Sequence, residues 1–471
     1  MIKSFKILSL ALIVFGVSSC SDWLDVNTSP NNPESAPIEL VFPRASLSTP
    51  VVVGGQFALL GGIWAQHYTQ HAAANQYKAW DGYNLTSSDF TGSWAELYIG
   101  LVNLENIIKE SEKQENWSYY LMASTLKAYT FQVLVDLYDK VPYSDAFLGK
   151  AGNISPKWDN GPQVYDELIK VLDKALSKDF TVSTSKDPGS ADLYFGGDLN
   201  SWVAFANTIK LKLYLRQVKA RPEVAEAGIK GLFNSNASFL IKDAGVSKFV
   251  AEKGKQNPMY GSEQEGLGGS NLVASNTLMD FLKAKQDPRI ADIYRPVNGA
   301  YKSAPQGDFL NQAFANTVSK ANLVATAPVR LLSAAESYFM QAEALERYFN
   351  GVGAAAKYND GVKAAFNQYG KDGSTFVASG GAYEYNAAGS FDQKLEQIIT
   401  QKWISLVGNG LEGFFENNRT GYPVFTISKE GSSRTNGRFP RRLMYPSTER
   451  DRNPANTPKE EPIYTPVWWA K

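Results

Sequence analysis

His67 and His71 are the only imidazoles in the chain. On a helix, a spacing of four puts both on one face, a geometry that suits a metal ion. Two ligands do not close a tetrahedral site, however, and no neighbouring carboxylate completes one. They are read as polar positions on a partly buried helix, and no metal centre is expected. Gly266-Leu267-Gly268-Gly269 has the glycine density of a phosphate loop but not its spacing or its strand–helix context. Ser124-Thr125-Leu126-Lys127 matches Ser-x-x-Lys, yet it lies inside an amphipathic helical stripe. The chain contains no His-Glu-x-x-His, no Walker A pattern and no nucleophile elbow. Neither catalysis nor a cofactor is expected. A structural calcium ion held by loop carboxylates and carbonyls remains compatible with the sequence.

The stretch Tyr77-Lys78-Ala79-Trp80-Asp81-Gly82-Tyr83-Asn84 offers a different chemistry. A Trp or Tyr face covers the apolar C–H face of a sugar ring, and short carboxylates and amides satisfy its hydroxyls. Trp80 and Tyr83 are therefore expected to form an exposed platform, with Asp81 and Asn84 as hydrogen-bonding partners. Tyr260 and Tyr301, each in a long polar loop with glycines, are weaker candidates. The competing reading is that these rings pack the loop onto the body. Arg434, Arg438, Arg441, Arg442, Arg450 and Arg452 form the strongest charge feature. Interleaved with prolines, they suit a clamp of guanidinium forks holding an extended tail on the body better than a nucleic-acid patch.

These residues need a scaffold, and the periodicity describes a helical one. Leu97, Leu101, Leu104 and Ile108 form one stripe, and Leu126, Phe131, Leu134, Val135 and Tyr138 another. A third begins at Pro162, and a fourth carries Trp202, Phe205, Ile209 and Leu213. Trp64, His67, Tyr68 and His71 also fit a helix, and later helices are expected over 329–349, 354–369 and 391–407. Strand signals are sparse, so the fold class is mainly α with long irregular loops. The loops at 244–270, 296–326 and 371–390 are long enough to be functional.

Composition fits a globular binder. The 471 residues carry 47 basic and 47 acidic side chains, and that balance argues against nucleic acid as a partner. One cysteine, Cys20, rules out an internal disulfide. It follows Lys3, Lys6, an eleven-residue apolar run from Ile7 to Val17, and Ser18-Ser19. That run is too short to span a bilayer and suits a signal peptide. Residues 1–19 are thus expected to be a lipoprotein-type signal peptide, with Cys20 lipidated. Residues 20–50, rich in Asn, Ser and Pro, are expected to be an unpacked leader arm, and 51–471 a single helical domain.

Several blocks together resemble the SusD/RagB-type outer-membrane nutrient-binding lipoproteins. They are Trp64 to Gln70, Leu126 to Tyr129 with Val135 to Tyr138, and Val141 to Ala146. Trp202 with Phe205 to Asn207, Leu211 to Arg216, Ala342-Glu343-Ala344, Gln401 to Ile404 and Arg419 to Pro423 continue the series. Phe439 to Pro446, with Glu449 and Asn453, completes it. One departure is Asn418, where that family often has a second Arg before Thr-Gly; it puts a local contact in doubt.

The resemblance implies one large fold of tetratricopeptide-like helix pairs, with the ligand site in irregular loops. It implies no catalysis. It also implies a cell-surface lipoprotein that captures oligosaccharides and passes them to a TonB-dependent SusC-like transporter. Alternatives are a peptide-binding member of the same family, a surface glycoside hydrolase, and a subunit that only closes the transporter.

Overall fold

The computed structural model describes residues 36–471. The signal peptide, Cys20 and the leader arm up to residue 35 lie outside the described residues. The rest of the expected arm is not an arm. Ile38–Val53 forms a helix, α1, with Ile38, Phe42, Ala45, Thr49 and Val52 buried on one stripe. Pro43 and Pro50 lie inside it. A helical proline has no N–H to give the carbonyl four residues back. For Pro50 that carbonyl belongs to Ser46, and the Tyr194 hydroxyl donates to it instead at 2.9 Å.

Helix α2, Gln56–Trp64, follows at once, and the two make an apolar stretch that is 83% buried over its most apolar window. Four helices then pack in sequence: α3 Thr91–Lys113, α4 Trp117–Tyr138, α5 Gly161–Leu176 and α6 Leu199–Arg216. A capping box between Asn160 and Gln163 starts α5, with Pro162 in its first turn. Helix α7, Pro222–Asn234, lies against α6, and α8 spans Asn276–Ala284. A second set is α9 Ala334–Tyr348, α10 Ala354–Asn367, α11 Phe391–Ser405 and α12 Gly410–Thr420. Helices α9 and α10 form the most extensive pair. The fold is mainly α, as the stripes predict.

Two expected helices are corrected. The Trp64–His71 stripe stops at Trp64; Gln66 turns the chain at φ 56°, and Tyr68–Gln70 is a strand, β1. Residues 329–332 are also a strand, paired with Ala244–Val246, so α9 starts only at Ala334. Strand β1 joins β2 Leu272–Ala274, β3 Tyr294–Arg295 and β4 Lys320–Ala321 in the order β1-β2-β4-β3. This small sheet carries the long loops. Helices α2 and α12 meet backbone to backbone: a Cβ on Gly61 would lie 2.0 Å from Leu411 N.

The helical half holds a buried ion network. Arg216 on α6 bonds Asp136 of α4 at 3.0 Å, and Glu412 and Glu416 of α12 at 2.7 and 2.6 Å. Lys212 pairs with Glu336 of α9 at 2.7 Å, and Lys402 of α11 reaches Glu416 at 3.4 Å. Arg419 joins Glu343 at 2.6 Å and Glu416 at 2.5 Å, and Arg347 pairs with Glu343 at 2.7 Å. Burial alone would raise the Glu416 carboxyl, but Arg419, Lys402 and Arg216 outweigh it and hold the group well below the usual carboxylate range. The Trp469 indole also donates to Asp136 at 2.7 Å, fastening the C-terminus. These charges neutralise one another inside protein, so they tie helices together instead of facing a ligand.

The arginine-rich tail is clamped as expected. Arg442 donates to Tyr138 O at 2.7 Å, and Arg438 stacks on Tyr464 at 3.5 Å. Arg441 donates to Asn418 Oδ1 at 2.9 Å, so the departing Asn418 makes its own contact with the tail.

Candidate ligand-binding site

The aromatic loop is built inward. Lys78–Asp81 makes one helical turn, Tyr83 takes φ 55°, and Asn84 N–H returns to Ala79 O at 2.7 Å. A left-handed tyrosine costs energy and must be held. Its hydroxyl accepts from Ser428 N at 3.1 Å and its ring meets Phe439 edge-on at 6.1 Å. Gly431 lies against that ring, where a Cβ would come within 2.4 Å.

Asp81 is 0% exposed and Tyr83 4%, so the expected exposed platform is corrected. Asp81 accepts from Thr69 Oγ1 at 2.6 Å, Gln70 N at 2.8 Å and Gln306 Nε2 at 2.7 Å. Burial pushes its carboxyl up, against these hydrogen bonds that favour the charged form. Trp80 is half-buried, stacked on Tyr77 at 4.9 Å and packed against Phe90 at 5.0 Å. The physical reason is that Asp81 has three donors to satisfy and all three lie in the body.

Asn84 is exposed, and its Oδ1 accepts from Arg434 at 2.6 Å. Tyr260 is half-exposed at the end of the short turn Pro258–Tyr260, against α2. Tyr301 is half-exposed after the Val297–Ala300 bridge. The structure therefore keeps Asn84, Tyr260 and Tyr301 at the surface and takes Asp81 and Tyr83 into the core.

What the loop does instead is gather two others. Gly307 N donates to Thr69 Oγ1 at 3.0 Å, and Lys429 N to Gln306 O at 3.0 Å. Residues 72–84, 306–317 and 428–434 thus converge on Asp81. On this convergence Lys78 stands 5.9 Å from the Phe309 ring centre, and Leu310 is 59% exposed. Lys429 pairs with Asp308 at 2.7 Å. The face combines apolar surface with side-chain amides and mixed charge, which suits a polar ligand with an apolar side. Sequence reasoning assigned no role to Lys78, Phe309 or Leu310, and nothing in the local sequence of loop 296–326 sets Phe309-Leu310 apart from its other apolar residues, such as Phe314 and Val318.

The histidines lie at the foot of the same sheet. The His67 Nε2–H donates to Trp403 O at 3.1 Å, and Asn316 N donates to His71 Nε2 at 3.3 Å. Burial lowers the His67 pKa to about 3, so it is neutral. Among the described residues, no group of three His, Cys, Asp or Glu side chains is placed to hold a metal ion. A separate cavity of about 300 Å³ is lined by Tyr68, Asp292, Asn322, Arg330 and Tyr369, next to Asn257 and Met259 of the Tyr260 turn.

The family described as "Starch-binding associating with outer membrane" (SusD-like) matches residues 62–446. The chain belongs to the SusD-like family. A chitin-binding SusD homologue from Flavobacterium johnsoniae superposes with a TM-score of 0.76 at 23% identity, covering 92% of this chain and 98% of its own. A SusD homologue from Bacteroides uniformis gives 0.74 at 25% identity, covering 92% and 99%. A SusD/RagB family protein from Bacteroides thetaiotaomicron gives 0.75 at 22%, covering 93% and 99%. No curated protein matches the chain. Family blocks supply the buried network: Asp136, Arg216, Glu343, Lys402 and Arg419 all lie in them. The blocks are therefore structural, and the loops that carry the candidate face lie between them.

Proposed function

We propose that this SusD-like protein is a non-catalytic, surface-anchored binder that captures oligosaccharides and passes them to a TonB-dependent, SusC-like β-barrel transporter. The observation that carries this reading is the match over 62–446 to a family described as starch-binding and outer-membrane associated. A structural relative described as chitin-binding supports the same ligand class. The three-loop face around Lys78, Asn84, Phe309 and Arg434 is the ligand platform. Leu310, 59% exposed, supplies the apolar side, with Phe309 buried next to Lys78, and Asn84 and Arg434 bind hydroxyls. Cys20, behind its apolar run, is the lipid attachment point that holds the protein at the outer membrane.

The test is titration calorimetry of the mature chain against soluble oligosaccharides, with a turnover assay on the same glycans. Saturable binding without product is expected. Product formation would favour a hydrolase, and binding of peptides alone the peptide-binding alternative. Replacing Cys20 with Ala is expected to release the protein from the outer-membrane fraction.

A further inference from the structure

A second recess lies away from the three-loop face. It is bounded by Phe281 and Lys285 of α8, by Ala382, Tyr383 and Asn386 of the loop before α11, by Tyr358 of α10, and by α11 itself. Its volume is about 300 Å³, at the lower end of the roughly 300–1,000 Å³ typical of ligand sites. Helix α11 lines it with Gln393, Glu396, Gln397, Thr400 and Gln401. These fall at i, i+3, i+4, i+7 and i+8, one face of the helix. Gln393 and Glu396 are exposed and Gln397 and Thr400 half-exposed, so this is the solvent-side face of α11, and Gln401 is its one buried member.

The floor is aromatic. Phe281 and Tyr383 lie nearly parallel, 7° apart in plane with centres 6.3 Å apart, and Tyr358 is fully buried beside them. The rings are fixed by their own partners: the Tyr383 hydroxyl donates to Asp287 at 2.6 Å. Gln397 is committed too, donating to Glu384 O at 2.7 Å and accepting from Asn386 N at 2.9 Å. Gln401 is not. It is only 2% exposed, and its Oε1 is buried without a hydrogen-bond partner. A ligand hydroxyl that pairs with Gln401 would offset the roughly 1–3 kcal/mol that such a buried group costs when unpaired.

We infer that this recess is a second binding site, for a single ring of a neutral saccharide. The partly exposed Phe281 ring, backed by the buried Tyr383, takes the C–H face of the sugar. The ligand's hydroxyls donate to Gln401 Oε1 and exchange hydrogen bonds with Thr400. With Lys285 and Glu396 at the rim, the lining carries no excess of either charge, which fits an uncharged ligand. The inference does not require the three-loop face to bind glycans.

Saturation-transfer NMR of the mature protein with a mixture of neutral mono- and disaccharides at millimolar concentration tests it. Thr400→Trp fills the recess from a half-exposed position, and its signal should fall at least fivefold. Gln401→Leu removes the orphaned amide; binding should fall while the melting temperature holds or rises. Both variants are read in a Lys78→Ala background, so that the three-loop face contributes little to the signal. No saccharide signal in the wild type overturns the inference. So does a signal that survives Thr400→Trp. A sharp drop in melting temperature for Gln401→Leu would make that amide a structural partner and overturn it as well. Loss of the signal in Lys78→Ala alone would place saccharide binding at the three-loop face only.

Discussion

Lys212 and Lys78 both stand near an aromatic ring, at 5.7 Å from Tyr129 and 5.9 Å from Phe309. Lys212 is buried among Glu336 and Glu412 on a helix pinned by Arg216, and Lys78 is half-exposed on the loop that gathers two others. One charge fixes helices, and the other, on the proposed ligand face, has a solvated side. The difference teaches where conservative chemistry belongs in this fold. The charges of the buried network in the helical half have their partners inside the protein. Lys78, Lys429 and Arg434 on the three-loop face are instead solvated on one side.

The largest way to break that contrast is to remove Arg216. Arg216→Leu leaves Asp136, Glu412 and Glu416 buried without their shared cation. A loss of about 3–5 kcal/mol in urea unfolding is expected, the usual cost of breaking a buried pair. A loss under about 1 kcal/mol would mean the network relaxes around the gap.

The seam between the halves responds to pH. His67 on the sheet side donates to Trp403 O on α11, and its folded pKa of about 3 lies below the unfolded value of 6.5. The unfolded chain therefore binds more protons as pH falls below about 6.5, and stability present above that pH is lost on the way down. Between pH 6.5 and 4.5 the loss is about 2–3 kcal/mol, at roughly 1.4 kcal/mol per pH unit. His71, lowered first by burial and then by Lys320, adds to the same window. Urea unfolding at both pH values should show the drop in the wild type and a smaller one in His67→Phe. An equal drop in the variant would move the effect to other groups.

Legibility differed between the halves for physical reasons. Stripes in α3 to α6 were readable because each helix buries one face against its sequence neighbours. Helix α1 was hidden by its own prolines. What rescues Pro50 is the Tyr194 hydroxyl on Ser46 O, 148 residues from it in sequence. The His67 and His71 spacing looked helical, but Gln66 at positive φ ends the helix one turn early. In the aromatic loop the residue types were informative and their direction was not. Asp81 turns inward for Gln306, 225 positions away, and a local reading contains nothing of that partner. Phe309 and Leu310 were passed over because no periodicity marks a loop.

Trp80 sharpens the comparison from inside the loop half. Its ring is stacked on Tyr77 and packed against Phe90, so Trp80→Ala should cost about 2 kcal/mol of stability. That is below the 3–5 kcal/mol of a fully buried aromatic, because part of the ring is solvated. Thermal unfolding checks it; an unchanged melting temperature with weakened glycan binding would restore the exposed-platform reading.

The smallest stability effect is expected on the loop face, and there it carries the most meaning. Lys78→Ala and Arg434→Ala remove exposed or half-exposed charges that meet the Phe309 ring and Asn84, respectively. Each should change unfolding free energy by less than about 0.5 kcal/mol, as surface substitutions do. If the face is the ligand platform, each should still weaken oligosaccharide binding about tenfold, or about 1.4 kcal/mol. The two readouts must separate, since the argument is that these side chains have a free side that the helical half lacks. Tyr369→Ala, in the cavity beside Tyr68, serves as the counter-test. Affinity lost there and kept in both loop variants would move the site into that cavity and leave the converging loops as packing alone.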